Sequence, residues 1–270
     1  MYNLRISPIQ ASIVWENTEQ NLQHFHEIIK PLANKTDLVI FPEMFTTGFS
    51  MASHDLAESN SGSTISKVQR WAAGYNFAIA GSFIATENEK YYNRAFLVCP
   101  TGEIFFRDKR HLFSPGEEEQ YFSAGNNNTI IPYKGWNIRL LICYDLRFPV
   151  WSRNVNNECD LLIYTANWPS SRQSVWKILL PARAIENQCY VCGVNRVGED
   201  GAGVQHSGNS LLVDAKGRIL SDYPENVEHA DTIIISKTEL DDFRSHFPVW
   251  KDADNFNFLL PLCREKKNFP

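Results

Sequence analysis

The chain has 270 residues, 43% of them hydrophobic and 13% aromatic, which is ample for a large core in a single domain. Its 31 acidic and 26 basic side chains leave a net charge of −5 with no basic block, which argues against nucleic acid and anionic membranes as partners. No apolar run approaches membrane-spanning length, and Met1-Tyr2-Asn3-Leu4-Arg5 lacks the apolar core of a signal peptide, so a soluble, cytoplasmic protein is expected.

Residues 3–10 read as a first strand. Asn17 or Thr18 caps a helix whose Leu22, Phe25, Ile28, Ile29 and Leu32 form one apolar stripe. His24 and His26 diverge on that helix and read as solvated or packing residues. Residues 37–41 form a second buried strand, broken by Pro42 and followed at once by Glu43. Ile65, Val68, Trp71 and Ala72 mark a second helix, and 77–83 a third strand. Residues 94–99 and 103–106 make a hairpin around Pro100-Thr101-Gly102, closed by Asp108-Lys109-Arg110. A polar loop then runs to Asn128.

The apolar run 138–142 climbs to Cys143 and turns polar immediately, with a helix expected over 149–156. A strand over 160–165, the loop 166–172, a helix over 173–187 and a strand over 189–195 follow. A second hairpin pairs 209–213 with 218–220, then come a strand over 232–236 and a short helix near 239–243. Helices alternate with strands and hairpins, which points to an α/β chain with mixed sheets. One domain is expected over 1–270, its core at about 3–240 and a tail at 241–270.

The six cysteines, Cys99, Cys143, Cys159, Cys189, Cys192 and Cys263, suggest no disulfide framework. Cys189-Tyr190-Val191-Cys192 is formally a CxxC, but strand residues three apart point to opposite faces, and no second Cys or His pair completes a zinc site. No metal or organic cofactor is implied.

Three polar residues follow apolar strands: Glu43, Lys109 and Cys143. Ligands of open α/β sheets gather beyond the carboxyl ends of strands, so these elements would bring a carboxylate, an ammonium and a thiol to one rim. The set suits acyl transfer. A thiolate attacks a carbonyl, the carboxylate takes the thiol proton and returns it to a leaving amine, and the ammonium with the backbone N–H of Tyr144 holds the oxyanion. Taken singly, each of the three is more often a packing or surface residue.

The segments Phe41-Pro42-Glu43-Met44-Phe45, Asp108-Lys109-Arg110-His111-Leu112-Phe113, Leu141-Ile142-Cys143-Tyr144-Asp145-Leu146-Arg147-Phe148-Pro149 and Ala182-Arg183-Ala184-Ile185-Glu186-Asn187 resemble, in order and spacing, those of the nitrilase superfamily of carbon–nitrogen hydrolases. The resemblance covers about residues 3–240. It implies a four-layer α-β-β-α sandwich with two mixed sheets, with Glu43 as general base, Lys109 as oxyanion stabiliser and Cys143 as nucleophile. It further implies a homodimer or higher homo-oligomer across the helix after the nucleophile, here 149–156 with Val150 and Trp151. A second active-site glutamate lies in the family's loop after the lysine; counting back seven from Gly125 selects Glu118, with Glu117 and Glu119 as competing registers. Arg183 and Glu186 share a helix face and read as a supporting ion pair.

Within the superfamily the chain is most similar to omega-amidases, through Ala166-Asn167-Trp168-Pro169-Ser170-Ser171-Arg172 and Asn195-Arg196-Val197-Gly198. That resemblance implies hydrolysis of 2-oxoglutaramate and 2-oxosuccinamate, small amides with a carboxylate. Arg172 is the candidate for that carboxylate, with Arg196 as the alternative. Trp168 and Phe45 are candidates for the wall of the pocket, and Tyr144 for its lining. N-carbamoyl amides and other small aliphatic amides stay open, and nitriles fit less well. Two other readings compete. One is a Cys–His hydrolase pairing Cys143 with His206 or His111, and the other is a silent binding protein on the same fold.

Overall fold

The computed structural model describes residues 3–254 and 256. Two sheets of related design stand back to back. The first contains β1 (Asn3–Gln10), β2 (Leu38–Ile40), β3 (Ala78–Glu87), β4 (Lys90–Val98) and β5 (Ile104–Asp108). Strands β1, β2 and β3 pair in parallel, and β4 and β5 continue the sheet antiparallel. The second sheet contains β6 (Ile131–Tyr133), β7 (Trp136–Ile142), β8 (Leu161–Ala166) and β9 (Tyr190–Asn195). There β7, β8 and β9 are the parallel trio, flanked by the antiparallel β6.

The small strands β10 (Val197–Glu199) and β11 (Gln205–Ser207) form a separate ribbon. Strands β12 (Leu211–Val213) and β13 (Ile219–Asp222) extend the second sheet beside β9, while β14 (His229–Ala230) and β15 (Ile233–Ser236) return to pair with β1.

The layers follow from which faces are apolar. Leu4, Ile6, Leu38 and Leu97 of the first sheet pack against Ile138, Leu140, Leu161 and Cys192 of the second, forming the central core. The other face of the first sheet is covered by α1 (Thr18–Ile29) and α3 (Ser63–Tyr75), which bury Leu22, Phe25, Ile65 and Val68 against Val39, Phe41 and Ile79. The other face of the second sheet is covered by α5 (Gln173–Asn187), which buries Trp176, Leu180 and Ala184 against Leu162, Tyr164 and Val191. The order is therefore helix, sheet, sheet, helix. Short α2 (Ser53–Leu56) and α4 (Glu118–Tyr121) lie in loops, and α6 (Lys237–His246) follows β15. No helix among the described residues is long and apolar enough to cross a membrane.

Most expected elements form where the periodicity places them. Asn17 caps α1, accepting from the Gln20 N–H at 3.1 Å. Neither histidine of α1 is placed as a ligand: His24 pairs with Glu228, and His26 stacks on Trp71 and bonds the Tyr75 hydroxyl. Cys189 and Cys192 fall on opposite faces of the second sheet, one in the helix-side core and one in the central core. The five described cysteines are free, and Cys263 lies outside the described residues.

The helix expected over 149–156 does not form. Cys143–Arg147 is a single 3-10 turn, and the chain beyond it runs in irregular turns. Distant side chains have taken the backbone groups that a helix would need. Arg183 donates twice to Leu146 O, Asn128 to Trp151 O and Arg139 to Arg153 O, while Asn187 Oδ1 accepts from Asn154 N. Asn156 and Asn157 then take left-handed backbone angles that end any helical run. Trp151 of this segment is buried, and Val150 is exposed.

Candidate active site

Three strand ends converge on one cavity of about 280 Å3, as the apolar runs of the sequence imply. Glu43 lies just beyond β2, Lys109 directly after β5 and Cys143 directly after β7. Cys143 has a backbone φ of +43°, a left-handed conformation that costs free energy in a residue with a side chain. The Asp145 carboxylate holds the corner, accepting from Ile142 N at 3.1 Å and from the backbone and ring nitrogens of His111 at 3.0 and 2.8 Å.

Glu43 is completely buried and fully engaged. Its Oε1 accepts from Lys109 Nζ at 2.9 Å and from Asn93 Nδ2 at 2.7 Å. Its Oε2 accepts from the backbone N–H of Asn167 at 2.8 Å, and the Cys143 thiol hydrogen-bonds to the same carboxylate. Asn167 stands at the end of β8, and its Nδ2 also donates to the Glu43 carbonyl at 2.5 Å, so the second sheet grips both ends of the glutamate.

Glu118 is the glutamate of its loop that enters the site; Glu117 and Glu119 stay exposed. Its carboxylate accepts from Lys109 Nζ at 2.9 and 3.1 Å, from Asn93 Nδ2 at 3.2 Å and from Phe113 N at 2.6 Å. The loop returns through Gly125, whose N–H donates to Lys109 O at 2.8 Å. A Cβ on Gly125 would stand 2.4 Å from the Asp108 carbonyl oxygen, so only glycine lets the loop close on the lysine.

Electrostatics follow from burial. Desolvation works against charge on Lys109, but the Glu118 and Glu43 carboxylates outweigh it and hold the ammonium above its ordinary value. Burial pushes Glu118 up, against the pull of Lys109. Burial and the Glu43 charge push the Cys143 thiol well up, with Lys109 opposing. Free thiolate is therefore scarce, and a base in contact with the thiol is needed for attack.

The mouth of the cavity is built differently. Tyr144, Trp168 and Arg172 line it. Trp168 donates its ring N–H to Arg172 O at 2.9 Å, and the Arg172 guanidinium lies 5.1 Å from the centre of the Phe113 ring. Arg147, which sequence reasoning left aside, lies over the Trp168 ring at 5.4 Å. Phe45 is not part of the wall. The left-handed Met44 swings it into the outer core, where it packs on Phe25, Phe41 and Phe96 with no exposed surface. Phe49 and Phe113 form the wall instead, with Lys109 Nζ 4.9 Å from the Phe49 ring centre. Four residues on from Glu43, the Thr47-Gly48 turn was the available signal for Phe49.

Arg196 does not reach the cavity. It is fully buried, and its guanidinium donates to the carbonyls of Ile13, Val197 and Glu199. His111 is stacked on Phe148 and committed to Asp145. His206 does line the cavity, on the β10–β11 ribbon with Asp200 and Val204, but burial pushes it down to about 4, with Arg196 adding to the shift. The charged groups that act most strongly on the Cys143 thiol are Glu43, Lys109 and Glu118. Arg183 and Glu186 pair at 3.1 Å, as expected.

The sequence model of the carbon-nitrogen hydrolase family matches residues 5–245. The omega-amidase YafV of Escherichia coli (strain K12) is 41% identical over 95% of this chain and 99% of its own length. The 2-oxoglutaramate amidase of Bacillus subtilis (strain 168) is 33% identical over 92% of this chain and 96% of its own. Among solved structures, the CN-hydrolase superfamily protein XC1258 from Xanthomonas campestris, described with an arsenic adduct in its active site, superposes with a TM-score of 0.93. It is 39% identical and covers 96% of this chain and 100% of its own.

Proposed function

We propose, from the premise that the chain belongs to the carbon-nitrogen hydrolase family and has the nitrilase-superfamily fold, that it is an omega-amidase. It hydrolyses carbon–nitrogen bonds of linear amides. Its substrates are the terminal amides of short 2-oxo dicarboxylates, 2-oxoglutaramate and 2-oxosuccinamate, and its products are the free dicarboxylate and ammonia. The observation that carries the chemistry is the buried Lys109–Glu43 contact of 2.9 Å beside the Cys143 corner.

Glu43 takes the thiol proton while sulfur attacks the amide carbon. The oxyanion is received by Lys109 Nζ and the Tyr144 backbone N–H. Glu43 then passes its proton to nitrogen, the C–N bond breaks and ammonia leaves a thioester on Cys143. Water gives a proton to Glu43 as its oxygen attacks the thioester, and the C–S bond breaks to restore the thiol. Glu118 holds Lys109 together with Glu43. Arg172, with Arg147 beside it, receives the distal carboxylate, and Phe49, Phe113 and Trp168 enclose the short chain between. The relatives named as an omega-amidase and a 2-oxoglutaramate amidase support this choice of amide.

The test is ammonia release by purified protein from 2-oxoglutaramate, 2-oxosuccinamate, glutamine, asparagine and a simple nitrile, with Cys143→Ala as the blank. Release from the keto-acid amides alone is expected. Equal release from glutamine or the nitrile would overturn the substrate assignment.

A further inference from the structure

Asn93 is fully buried in the middle of β4, away from every motif in the sequence, yet three groups of the site and the buried Ser82 meet on it. Its carbonyl accepts from Lys109 N at 2.9 Å. Its Nδ2 donates to Glu43 Oε1 at 2.7 Å and to Glu118 Oε1 at 3.2 Å. Its Oδ1 lies 3.1 Å from Ser82 Oγ, which itself accepts from Met44 N at 2.8 Å.

Carboxylate oxygens accept, so the Asn93 group that meets Glu43 Oε1 and Glu118 Oε1 is its amino group. Ser82 Oγ accepts from Met44 N and has its own proton left to give to Asn93. The Asn93 oxygen must therefore face Ser82, and its amino group must face the carboxylates. A carboxylate offered a donor is stabilised as the anion.

We infer that Asn93, oriented by Ser82, is a positioning residue that keeps Glu43 an ionised base by presenting a donor to both buried carboxylates. The inference rests on the reading of Glu43 as the base. The charged groups facing Glu43 are Lys109 from the end of β5, Glu118 from α4 and Cys143 from the corner after β7. Farther round the cavity stand Asp200 and His206 on the β10–β11 ribbon and Arg147 and Arg172 at the mouth. His206 is neutral above pH 4 or so and does not compete in the range that matters. Removing the Asn93 donor leaves Glu43 Oε1 with Lys109 alone and Glu118 less well satisfied, so the base takes up a proton at higher pH.

The experiment is the rate of Cys143 alkylation by iodoacetamide against pH, followed on the Cys143 peptide by mass spectrometry. It needs no substrate. In the native protein the rate should show an acid limb set by the base that activates the thiol. Asn93→Ala should move that limb upward by about one pH unit. Asn93→Asp keeps the shape but turns a donor toward two carboxylates into a third acid, and should move it further. Ser82→Ala frees the amide to turn over and should move it in the same direction by less; this variant decides the matter alone if the Asn93 variants do not fold.

Glu43→Gln separates the two levels of the argument. If it leaves the native limb in place, Glu43 is not the base and the catalytic reading fails. If it abolishes the limb while folded Asn93 and Ser82 variants leave theirs unmoved, the positioning role of Asn93 is wrong and the base stands.

Discussion

The floor and the mouth of the cavity obey different rules. On the floor, Glu43, Glu118 and Lys109 are all but fully buried, and each makes several short bonds to groups from different elements of the fold. At the mouth, Arg147 is exposed and Arg172 half-buried, their guanidinium groups lie over aromatic rings, and among the described residues neither makes an ion pair. Charges removed from water must find partners within the protein, because an unpaired one costs several kcal/mol. Charges left at a rim keep their bonding capacity for a ligand. On the function proposed above, the floor is specified for one chemistry and the mouth is where one amide would be told from another.

The largest effect should come from the atom that the floor exists to serve. Cys143→Ala removes one sulfur from a corner held by Asp145, so the fold should survive while turnover falls by ~10^4-fold or more. Ammonia release and a melting curve measured together check both halves, and residual release near the native rate would remove the thiol from the mechanism. Glu118→Gln comes next. It keeps the volume but takes away one of the two anions that hold Lys109 charged, so kcat should fall by ~10^2-fold with a smaller change in KM. A change in KM alone would move Glu118 from the floor to the mouth.

The division also explains which parts were legible in the sequence. Glu43, Lys109 and Cys143 stand out because each ends an apolar run, and an apolar run is a local pattern. Glu118 was legible through its spacing to Gly125, whose lack of a side chain is required by the Asp108 carbonyl. Asn93 was not legible. It looks like one polar residue in a hairpin strand, and its meaning lies in contacts with residues 11, 25 and 50 positions away. Phe45 misled for a similar reason: a single left-handed residue, Met44, decides whether it faces the pocket or the core. The missing helix after Cys143 is a third case, since side chains from α5 and from the middle of β7 claim its backbone.

Phe45 and Phe49 turn that error into a test of the mouth. Phe45→Ala should cost about 3–5 kcal/mol of stability, as a buried aromatic truncation does, and leave KM nearly unchanged in the folded fraction. Phe49→Ala should raise KM with a smaller loss of stability. Urea melts and steady-state kinetics on the two variants would show the opposite assignment if Phe45 faced the substrate.

Arg172→Ala should raise KM for keto-acid amides by ~10-fold, the worth of one charge-assisted bidentate contact at a partly wet site, and leave neutral amides almost untouched. Arg147→Ala should do the same more weakly, because its guanidinium is the more exposed of the two. Equal effects on charged and neutral amides would deny the mouth its role in reading the carboxylate.

The smallest effect at neutral pH belongs to His206, on the β10–β11 ribbon that lines the cavity. Burial lowers its folded value to about 4 from an ordinary 6.5, so the native state holds it neutral. The sign follows from linkage: above pH 6.5 neither state is protonated and the histidine makes no pH-dependent contribution. As pH falls from there, the unfolded chain takes up the proton first and stability is lost progressively, levelling off as pH passes 4, with a total of about 3 kcal/mol from this residue. His206→Asn should therefore match the native protein's pH-dependence above pH 7 and lose less stability than it does between pH 6.5 and 4. Parallel urea melts across that range, with curves for the two proteins that fall at the same rate, would show that the ribbon does not keep His206 neutral and that this side of the cavity is as open to water as the arginines of the mouth.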